Sequence, residues 1–321
     1  MAEAGTIGIT GASGFVGRTL IDELVRQKRT NLRLFGRGGI LAVGPYRIER
    51  SDFSPETWAG IDCLVHLAGI TNTNAPEAEL TLSNVDLTVN IARAAAAAGV
   101  RRFVFVSSLG VHGKSAHQAI SPVSPFLPDN AYGRSKATAE RALRSVCEDG
   151  KLELVILRPP MIYGPGTKGN FPLLLRLVRS GLPLPFASAT ARRSFCSIAN
   201  LVSALLAALD RSSIPGVLIP ADPEDFSTRT LVQVMKSAAE TSTLLFPVPE
   251  RVLRQSLALV GKADMAISLF EPLYVDRVHW MAWDWEPVES GEQGVRSAVD
   301  HVRAADVGSQ LVSQCLIEQI E

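Results

Sequence analysis

The sequence predicts an α/β protein: a doubly wound parallel sheet with a smaller, interleaved C-terminal lobe. Short apolar runs alternate with helical segments through the first half of the chain, as in TIGIT, LRLFG, DCLVHLAG, RRFVFVSS and LELVILRPP. Continuous apolar strands joined by helices are typical of a parallel sheet that is covered on both faces. This alternation stops after Pro159, where turns and loops surround one apolar helix, and that change predicts the second lobe.

The predicted lobes are residues 1–165 and, for the most part, residues 166–321. The segment RRSFCSIANLVSALLAALDRS has the pattern of a short strand that leads into a helix. We therefore expect the chain to return to the first domain near residues 194–220. No internal repeat or low-complexity linker separates the two parts.

The composition is that of an ordinary globular protein. Of the 321 residues, 46% are hydrophobic and 20% are charged, and 32 basic residues balance 32 acidic ones. This balance gives no electrostatic reason to expect nucleic acid or an anionic membrane as a partner. The start, MAEAGTIGIT, lacks the pattern of a secretory leader, and no apolar run approaches the roughly 20 residues of a membrane span. We expect a cytoplasmic protein.

The four cysteines do not predict a metal site. Cys63, Cys147, Cys196 and Cys315 are far apart and have no metal-ligand spacing. We expect small buried thiols in a reducing compartment.

A glycine-rich turn, TGASGFVG from Thr10 to Gly17, follows the first predicted strand and opens a helix. In that context Gly11 allows the tight turn, Gly14 lets the backbone approach a pyrophosphate, and Gly17 lets helix and strand pack closely. The N-terminus of the helix supplies unpaired N–H groups and a positive dipole end. The turn predicts a Rossmann-type, dinucleotide-binding domain.

The choice of dinucleotide depends on the residues after the next strands. LRLFGRGG carries Arg37 where a carboxylate usually selects NAD, and a guanidinium there suits a 2′-phosphate. We therefore favour NADP modestly over NAD, although Arg37 can equally be a solvated loop residue. Asp52 in RSDFS can accept from the adenine amino group or can cap a turn.

The stretch NAYGRSKATAE places Tyr132 and Lys136 one helical turn apart on the same face. A tyrosine has a pKa of about 10 in water and is a poor base at neutral pH. Lys136, together with the cationic oxidised nicotinamide, would favour the phenolate. Tyr132 could then act as an acid/base in a proton transfer.

The order TGxxGxxG, HLAG, VSSLGVHG, YGRSK and LRPPMIYGPG resembles the extended short-chain dehydrogenase/reductase family across essentially the whole chain. The resemblance implies Ser108, Tyr132 and Lys136 as catalytic residues. It also implies that Asn84 and Thr88 belong to a helix behind the active site, although both can equally form a polar helix face. His112 stands where many relatives have tyrosine, and we assign it no catalytic role.

We predict the following dinucleotide contacts: Gly11, Ser13, Gly14, Phe15, Val16, Gly17, Arg37, Asp52, Phe53, Leu67, Ala68, Gly69, Ser107, Tyr132, Lys136 and Pro159. Pro159 matches the loop that covers the nicotinamide carboxamide in the family, and Lys136 should reach the nicotinamide ribose.

The segments GPGTKGNFPLLLRLVRSGLPLPF and ARRSFCSIANLVSAL are similar to the nucleotide-sugar branch of the family. The resemblance implies that Arg193 binds the diphosphate of a UDP-sugar, together with Ser108, Asn170 and Phe186 as substrate contacts. A guanidinium pairs bidentately with phosphate oxygens. Arg192 can do the same or be a surface charge, and Phe186 can pack near the uracil or in the core.

More narrowly, these segments resemble reductases of UDP-4-keto-6-deoxy-N-acetylhexosamines, which make sugars such as UDP-N-acetylquinovosamine for polysaccharide assembly. Met161 stands where 4-epimerases tend to have asparagine, and SLFEPLYVD lacks a second phosphate-binding arginine.

The alternatives are a UDP-hexose 4-epimerase that retains its NAD and a non-catalytic dinucleotide-binding protein. SSLGVHG has no acidic residue of the kind a dehydratase needs. The family resemblance also implies a homodimer, through helices at residues 84–98 and 131–147, although both segments can equally be buried core helices.

Overall fold

The computed structural model describes residues 5–36, 42–211 and 216–318, with side chains described as far as residue 304. The strands are β1 Ile7–Thr10, β2 Leu32–Gly36, β3 Ala42–Val43, β4 Tyr46–Arg50, β5 Cys63–His66, β6 Arg102–Val106, β7 Glu153–Leu157, β8 Met161–Tyr163, β9 Arg193–Ser197, β10 Val217–Leu218 and β11 Asp225–Phe226.

The helices are α1 Phe15–Arg26, α2 Pro55–Trp58, α3 Glu77–Leu80, α4 Leu87–Ala97, α5 Ala131–Val146, α6 Asn170–Arg179, α7 Ile198–Asp210, α8 Thr228–Ala239, α9 Glu250–Leu259, α10 Ala263–Phe270 and α11 Gly291–Glu318. A π-helix at Thr81–Asp86 joins α3 to α4, and 3₁₀-helices lie at Leu109–His112 and Val278–Trp283.

The large sheet has the strand order β10-β7-β6-β5-β1-β2-β4-β3 and is parallel except for β3. Strand β1 lies between β2 and β5, and Ile7 pairs with Leu32 on one side and Cys63 on the other. The strand order therefore reverses at β1, so the crevice outside the carboxyl ends of β1 and β5 is where such a sheet binds its ligand. The predicted doubly wound sheet is confirmed.

The two faces of this sheet are covered by different helices because successive side chains of a strand point in opposite directions. On β6, Val104 belongs to the core that includes residues of α1 and α7. Its neighbours Phe103 and Phe105 belong instead to the core that includes residues of α4 and α5. Two buried layers result, and the strand ends between them are held in place on both sides.

The smaller lobe is built around a sheet of order β11-β9-β8 and a core shared with α6, α8 and α11. Between β9 and β11 the chain returns to the large sheet: α7 packs against α1, and β10 pairs in parallel with β7. Both elements lie within the expected return segment, residues 194–220. The exact division at residue 165 stays a prediction. None of the helices in the described ranges is long and apolar enough to cross a membrane.

Asp222 is a fully buried carboxylate that joins several of these elements. Its Oδ1 accepts hydrogen bonds from the Ser197 amide (2.7 Å) and Asn200 Nδ2 (2.8 Å), and its Oδ2 accepts one from the Tyr163 hydroxyl (2.7 Å). Burial raises the pKa of Asp222 from 3.8 to about 6, although these hydrogen bonds oppose the rise.

Because the pKa of Asp222 is higher in the folded chain than in the unfolded one, its contribution to stability is present at low pH and is lost as the pH rises through about 6. In Asp222→Asn the amide oxygen can keep the bonds from Ser197 and Asn200, and the amide nitrogen can donate to Tyr163. We expect the variant to gain stability relative to the natural protein between about pH 4 and about pH 7, by up to about 3 kcal/mol. Melting curves across this range measure the difference, and a difference that does not depend on pH would contradict the assignment.

Candidate active site

The turn after β1 brings the backbone of two strands and a helix into close contact. Gly11 has φ +71°, and a Cβ there would lie 2.7 Å from the Ala68 amide nitrogen. The Gly14 amide donates to the Gly11 carbonyl (2.9 Å), and a Cβ at Gly17 would lie 2.5 Å from that same carbonyl oxygen. The glycines at these positions therefore let α1 begin close to the end of β1, as the sequence predicts.

The start of α1 fits the pyrophosphate of a dinucleotide. Gly14 is the N-cap residue, and within the described ranges no side chain caps the helix or pairs with the amides of its first turn. Phe15 and Val16 are half-buried in that turn. Arg18 Nε donates to the Ser13 carbonyl (3.0 Å) and braces the turn. Free amides at the positive end of a helix dipole are suited to phosphate oxygens.

His66 at the end of β5 joins this turn to the helices behind it. Its Nδ1 hydrogen-bonds Thr10 Oγ1 (2.8 Å), and its Nε2 hydrogen-bonds Thr88 Oγ1 (3.0 Å). Burial lowers the pKa of His66 to about 3, so the imidazole is neutral. Thr10 Oγ1 also accepts from the Ala68 amide (3.3 Å), which holds the predicted segment Leu67–Gly69 beside the glycine turn.

Asn84, in the π-helix, joins the same segment to α5. Its Oδ1 accepts from the Ile70 amide (2.7 Å), and its Nδ2 donates to the Ile70 carbonyl and to Ser135 Oγ (both 3.0 Å). Asn84 and Thr88 are fully buried. The alternative that both belong to a polar helix face is therefore wrong. Their position beside α5 agrees with the predicted helix behind the active site.

Helix α5 begins where Asn130 Oδ1 accepts from the Gly133 amide (2.7 Å). A Cβ at Gly133 would lie 2.5 Å from the Gly110 carbonyl oxygen, so α5 starts directly against the 3₁₀-helix after Ser108. One turn into α5, Lys136 Nζ donates to the Val106 carbonyl at the end of β6 (3.0 Å).

The structure brings Ser108, Tyr132 and Lys136 together. Ser108 is the N-cap of the 3₁₀-helix, where its Oγ accepts from the Gly110 amide (3.1 Å). Burial raises the pKa of Tyr132, and the hydroxyl of Ser108 beside the phenol opposes that rise. Burial lowers the pKa of Lys136 to about 8, and the charge of Glu140 opposes that fall. The chain alone thus raises the pKa of Tyr132, whereas the sequence argument from Lys136 expected it to be lowered.

The predicted adenine-side residues are Arg37, Asp52 and Phe53, and the structure describes the last two. Asp52 Oδ1 accepts from the Ser54 amide (3.0 Å) and from Thr57 Oγ1 (2.5 Å), so Asp52 caps this turn, and its contact with adenine stays a prediction. These hydrogen bonds, that of Thr57 first, lower the pKa of Asp52. Phe53 beside it is 54% exposed. Arg37 lies outside the described residues.

The strand ends on the far side of the site carry Ser107 and Pro159. The Pro159 carbonyl accepts from the Leu109 amide (2.8 Å), which ties the loop after β7 to the 3₁₀-helix. Ser107 Oγ donates to Glu140 Oε1 (2.6 Å), so its hydroxyl proton is used within the protein. Whether their backbone atoms contact a dinucleotide stays a prediction.

The two neighbouring arginines of the smaller lobe have different surroundings. Arg192 is 60% exposed, and its Nε lies 2.5 Å from Asp225 Oδ2. Arg193 is largely buried, and its Nη1 donates to the carbonyls of Glu271 (2.8 Å) and Lys114 (3.2 Å). No carboxylate of the described residues forms an ion pair with Arg193. Burial lowers the pKa of Arg193 to about 10. A guanidinium held by carbonyls alone suits an anionic ligand.

The remaining substrate residues are less specific. Asn170 is exposed at the first position of α6. Phe186 packs against two apolar clusters of the smaller lobe, so its surroundings favour the core alternative. Directly after SLFEPLYVD, Arg277 donates to Asp225 Oδ1 (2.7 Å) and to the Asp222 carbonyl (2.9 Å). That guanidinium is engaged within the protein.

Sequence analysis missed Glu140 and Arg158, a buried ion pair behind Ser108. The available signal was spacing: Glu140 follows Lys136 by one helical turn, as Lys136 follows Tyr132. Arg158 lies 18 residues further along, and no local pattern indicates its contact with Glu140.

Comparison with known proteins identifies related chains. Residues 7–218 match the family model described as NAD dependent epimerase/dehydratase family. A relative named UDP-glucose 4-epimerase, from Vibrio cholerae, is 33% identical over 303 residues, which cover 90% of this chain and 92% of the relative. A Pseudomonas aeruginosa protein named UDP-2-acetamido-2,6-beta-L-arabino-hexul-4-ose reductase is 26% identical over 223 residues, which cover 67% of this chain and 52% of that protein.

Solved structures share the fold. MoeE5 in complex with UDP-glucuronic acid and NAD superposes with a TM-score of 0.76 and 22% identity, over 94% of this chain and 100% of the other. UDP-glucuronic acid 4-epimerase from Bacillus cereus in complex with NAD gives a TM-score of 0.75 and 20% identity, over 93% and 96%. The family match over most of the chain and the relative at 33% identity agree with the glycine turn and the Ser108–Tyr132–Lys136 cluster: the chain belongs to the NAD-dependent epimerase/dehydratase family, an enzyme family of the extended short-chain dehydrogenase/reductase type.

Proposed function

We propose that this enzyme transfers hydride at C4 of a UDP-linked hexose, with Tyr132 as the acid/base. The observation that carries the proposal is the grouping of Ser108, Tyr132 and Lys136 at the carboxyl edge of the sheet that also carries the glycine turn. The guanidinium of Arg193, which no carboxylate of the described residues neutralises, supports a diphosphate-linked substrate.

In the oxidation direction, Tyr132 takes the proton of the C4 hydroxyl; in the reduction direction, it gives a proton to the C4 ketone. Ser108 hydrogen-bonds the reacting oxygen and directs it towards the phenol. Lys136 supplies positive charge one turn behind Tyr132 and favours the phenolate. When bound, NAD accepts or donates the hydride through its nicotinamide, and the positive charge of the oxidised ring also favours the phenolate.

The diphosphate of the substrate would bind at Arg193. Its Nη1 is held by two carbonyls, so the rest of the planar fork can pair with phosphate oxygens. Several relatives are named for reactions of UDP-sugars, and a structural neighbour was solved with a UDP-sugar bound. Both observations support the same class of substrate here. Asn170 and Phe186 remain proposed substrate contacts, and the homodimer remains a prediction.

Two forms of the reaction share this site. The reductase form rests on the resemblance of the segments around Asn170 and Arg193 to keto-sugar reductases. It also rests on Met161, which stands where 4-epimerases tend to have asparagine. The epimerase form rests on the Vibrio cholerae relative, whose name is that of a 4-epimerase. An epimerase oxidises and re-reduces the same sugar, so its cofactor returns to the starting state without leaving the protein.

The nicotinamide content of the protein after gel filtration tests which form applies. A stoichiometric dinucleotide that does not exchange would support the epimerase. A protein that purifies empty and binds added dinucleotide reversibly would support the reductase. Tighter binding of NADPH than of NADH would support the proposed role of Arg37 in NADP selection. Tighter binding of NADH would contradict that role. Absence of binding and of turnover with UDP-glucose, UDP-galactose and UDP-N-acetylglucosamine would overturn the epimerase form.

A further inference from the structure

The ion pair between Glu140 and Arg158 is almost completely removed from solvent, with side-chain exposures of 0% and 2%. Arg158 Nε donates to Glu140 Oε1 (3.0 Å), and Arg158 Nη2 donates to Glu140 Oε2 (2.7 Å). A buried ion pair is weak evidence for a contribution to stability, because desolvation of both charges offsets their attraction. The hydrogen-bond partners of the pair indicate its role more clearly.

The pair holds the chain on both sides of Ser108. On one side, the hydroxyl of Ser107 donates to Glu140 Oε1 (2.6 Å). On the other side, Arg158 Nη1 lies 3.3 Å from His112 Nε2 and donates to the Pro122 carbonyl (3.0 Å).

His112 completes this connection as a neutral side chain. Its Nδ1 lies 2.9 Å from the Pro125 carbonyl, to which it donates, and this leaves Nε2 to accept from Arg158. Burial lowers the pKa of His112, which is consistent with this tautomer. The 3₁₀-helix that Ser108 caps is therefore held at its start through Ser107 and at its end through His112.

Glu140 also lies on the active-site face of α5, because Tyr132, Lys136 and Glu140 follow one another at intervals of four residues. Among the described residues, the groups found around the Lys136 ammonium besides Glu140 are uncharged: the Val106 carbonyl 3.0 Å away, the Phe105 ring and the neutral His66. Glu140 is the carboxylate whose charge acts on Lys136. Arg158 faces Glu140 from the end of β7.

We propose that Glu140 is a positioning residue for the reaction: through Ser107, and through Arg158 and His112, it fixes Ser108 against Tyr132, and its carboxylate, one helical turn beyond Lys136 on the same face of α5, is the counter-charge of the ammonium. The proposal concerns the site assigned above and rests on the proposed function for its kinetic readout. Its second readout, the titration of Lys136, needs no substrate.

The first test is Glu140→Gln, which keeps the shape of the side chain and removes its charge. We expect kcat to fall about 10- to 100-fold, with KM changed by less than about threefold, because alignment is lost and the binding groups remain. We also expect the pH at which kcat declines on the alkaline side to move down by about one unit, because the Lys136 ammonium loses its counter-charge and Arg158 stays positive. NMR of ¹³C-lysine-labelled protein, with Lys136→Arg as the assignment standard, should show the same displacement for Lys136.

Glu153→Gln is the matched control. Glu153 Oε2 accepts from the fully buried Arg102 (2.7 Å) and joins the same two strands, β6 and β7, at the opposite edge of the sheet. This variant should lose stability without a change in kcat or in its pH dependence. If Glu140→Gln does not fold, Ser107→Ala, which leaves the ion pair intact, should still lower kcat more than KM.

A Glu140→Gln protein with kcat within about twofold of the natural value and an unmoved Lys136 titration would overturn the proposal. An equal loss of kcat in Glu153→Gln would overturn it as well, because the effect would then be one of general stability. If the natural protein shows no turnover at all, the proposed function fails, and an unmoved Lys136 titration would then overturn the inference separately.

Discussion

Tyr132→Phe is expected to lower kcat by about 10²- to 10⁴-fold, the usual contribution of a positioned acid/base. The change removes only the phenol oxygen, which lies beside Ser108 and exchanges the proton of the C4 oxygen in the proposed reaction. The glycine turn and Arg193 are untouched, so dinucleotide and UDP affinities should stay within about twofold. Steady-state kinetics and calorimetry with NAD and UDP measure the two quantities.

Tyr163→Phe is a suitable control for this variant because it removes the phenol oxygen of a tyrosine outside the proposed site. Tyr163 donates to Asp222 Oδ2 (2.7 Å) and lies 2.9 Å from the Gly291 carbonyl, away from Ser108 and Lys136. We expect a lower melting temperature and an unchanged kcat. Unchanged turnover in Tyr132→Phe, or equal losses of turnover in both variants, would remove Tyr132 from the chemistry.

Arg193→Ala is expected to weaken UDP binding by about 1.5–3 kcal/mol, the range for hydrogen bonds that involve a charged group. This corresponds to a factor of about 10 to 150 in the dissociation constant. The expectation follows from the surroundings of the guanidinium: two carbonyls hold Nη1, and no described carboxylate neutralises the charge. UDP, titrated calorimetrically into the protein with its cofactor, is the probe.

Arg192→Ala provides a control from the adjacent position. Arg192 is exposed, bonded to Asp225 and stacked on the Tyr274 ring, 4.5 Å from its centroid. Its removal should leave UDP affinity unchanged. If Arg192→Ala weakens binding and Arg193→Ala does not, the assignment of the two arginines is reversed; if neither does, the diphosphate binds elsewhere.

The Ser108–Tyr132–Lys136 cluster shows how burial governs both ionisable groups. It raises the pKa of the phenol and lowers that of the ammonium, because low polarity disfavours the charged form of each. The neutral forms are favoured together, so a catalytic phenolate requires added positive charge or a retained proton on Lys136. This is why the charge of Glu140 is central to the proposed positioning role.

The sequence by itself determined the features that depend on short-range geometry. A strand, a glycine turn and a helix are contiguous, so the sterics at Gly11 and Gly17 can be read from their spacing. Tyr132 and Lys136 share a helix face because the α-helix repeats every 3.6 residues. The parallel order of apolar strands likewise predicts that Ser108 and the glycine turn lie at the same edge of the sheet.

Only the tertiary structure decided which polar groups are already engaged. Adjacent arginines look alike in sequence, yet Asp225, 33 residues away, pairs with Arg192, while two carbonyls hold Arg193. Glu140 and Arg158 meet because α5 lies across the ends of β6 and β7. Such contacts depend on how distant segments pack, because desolvation requires each buried charge to find its partner in space, and no local pattern records that choice.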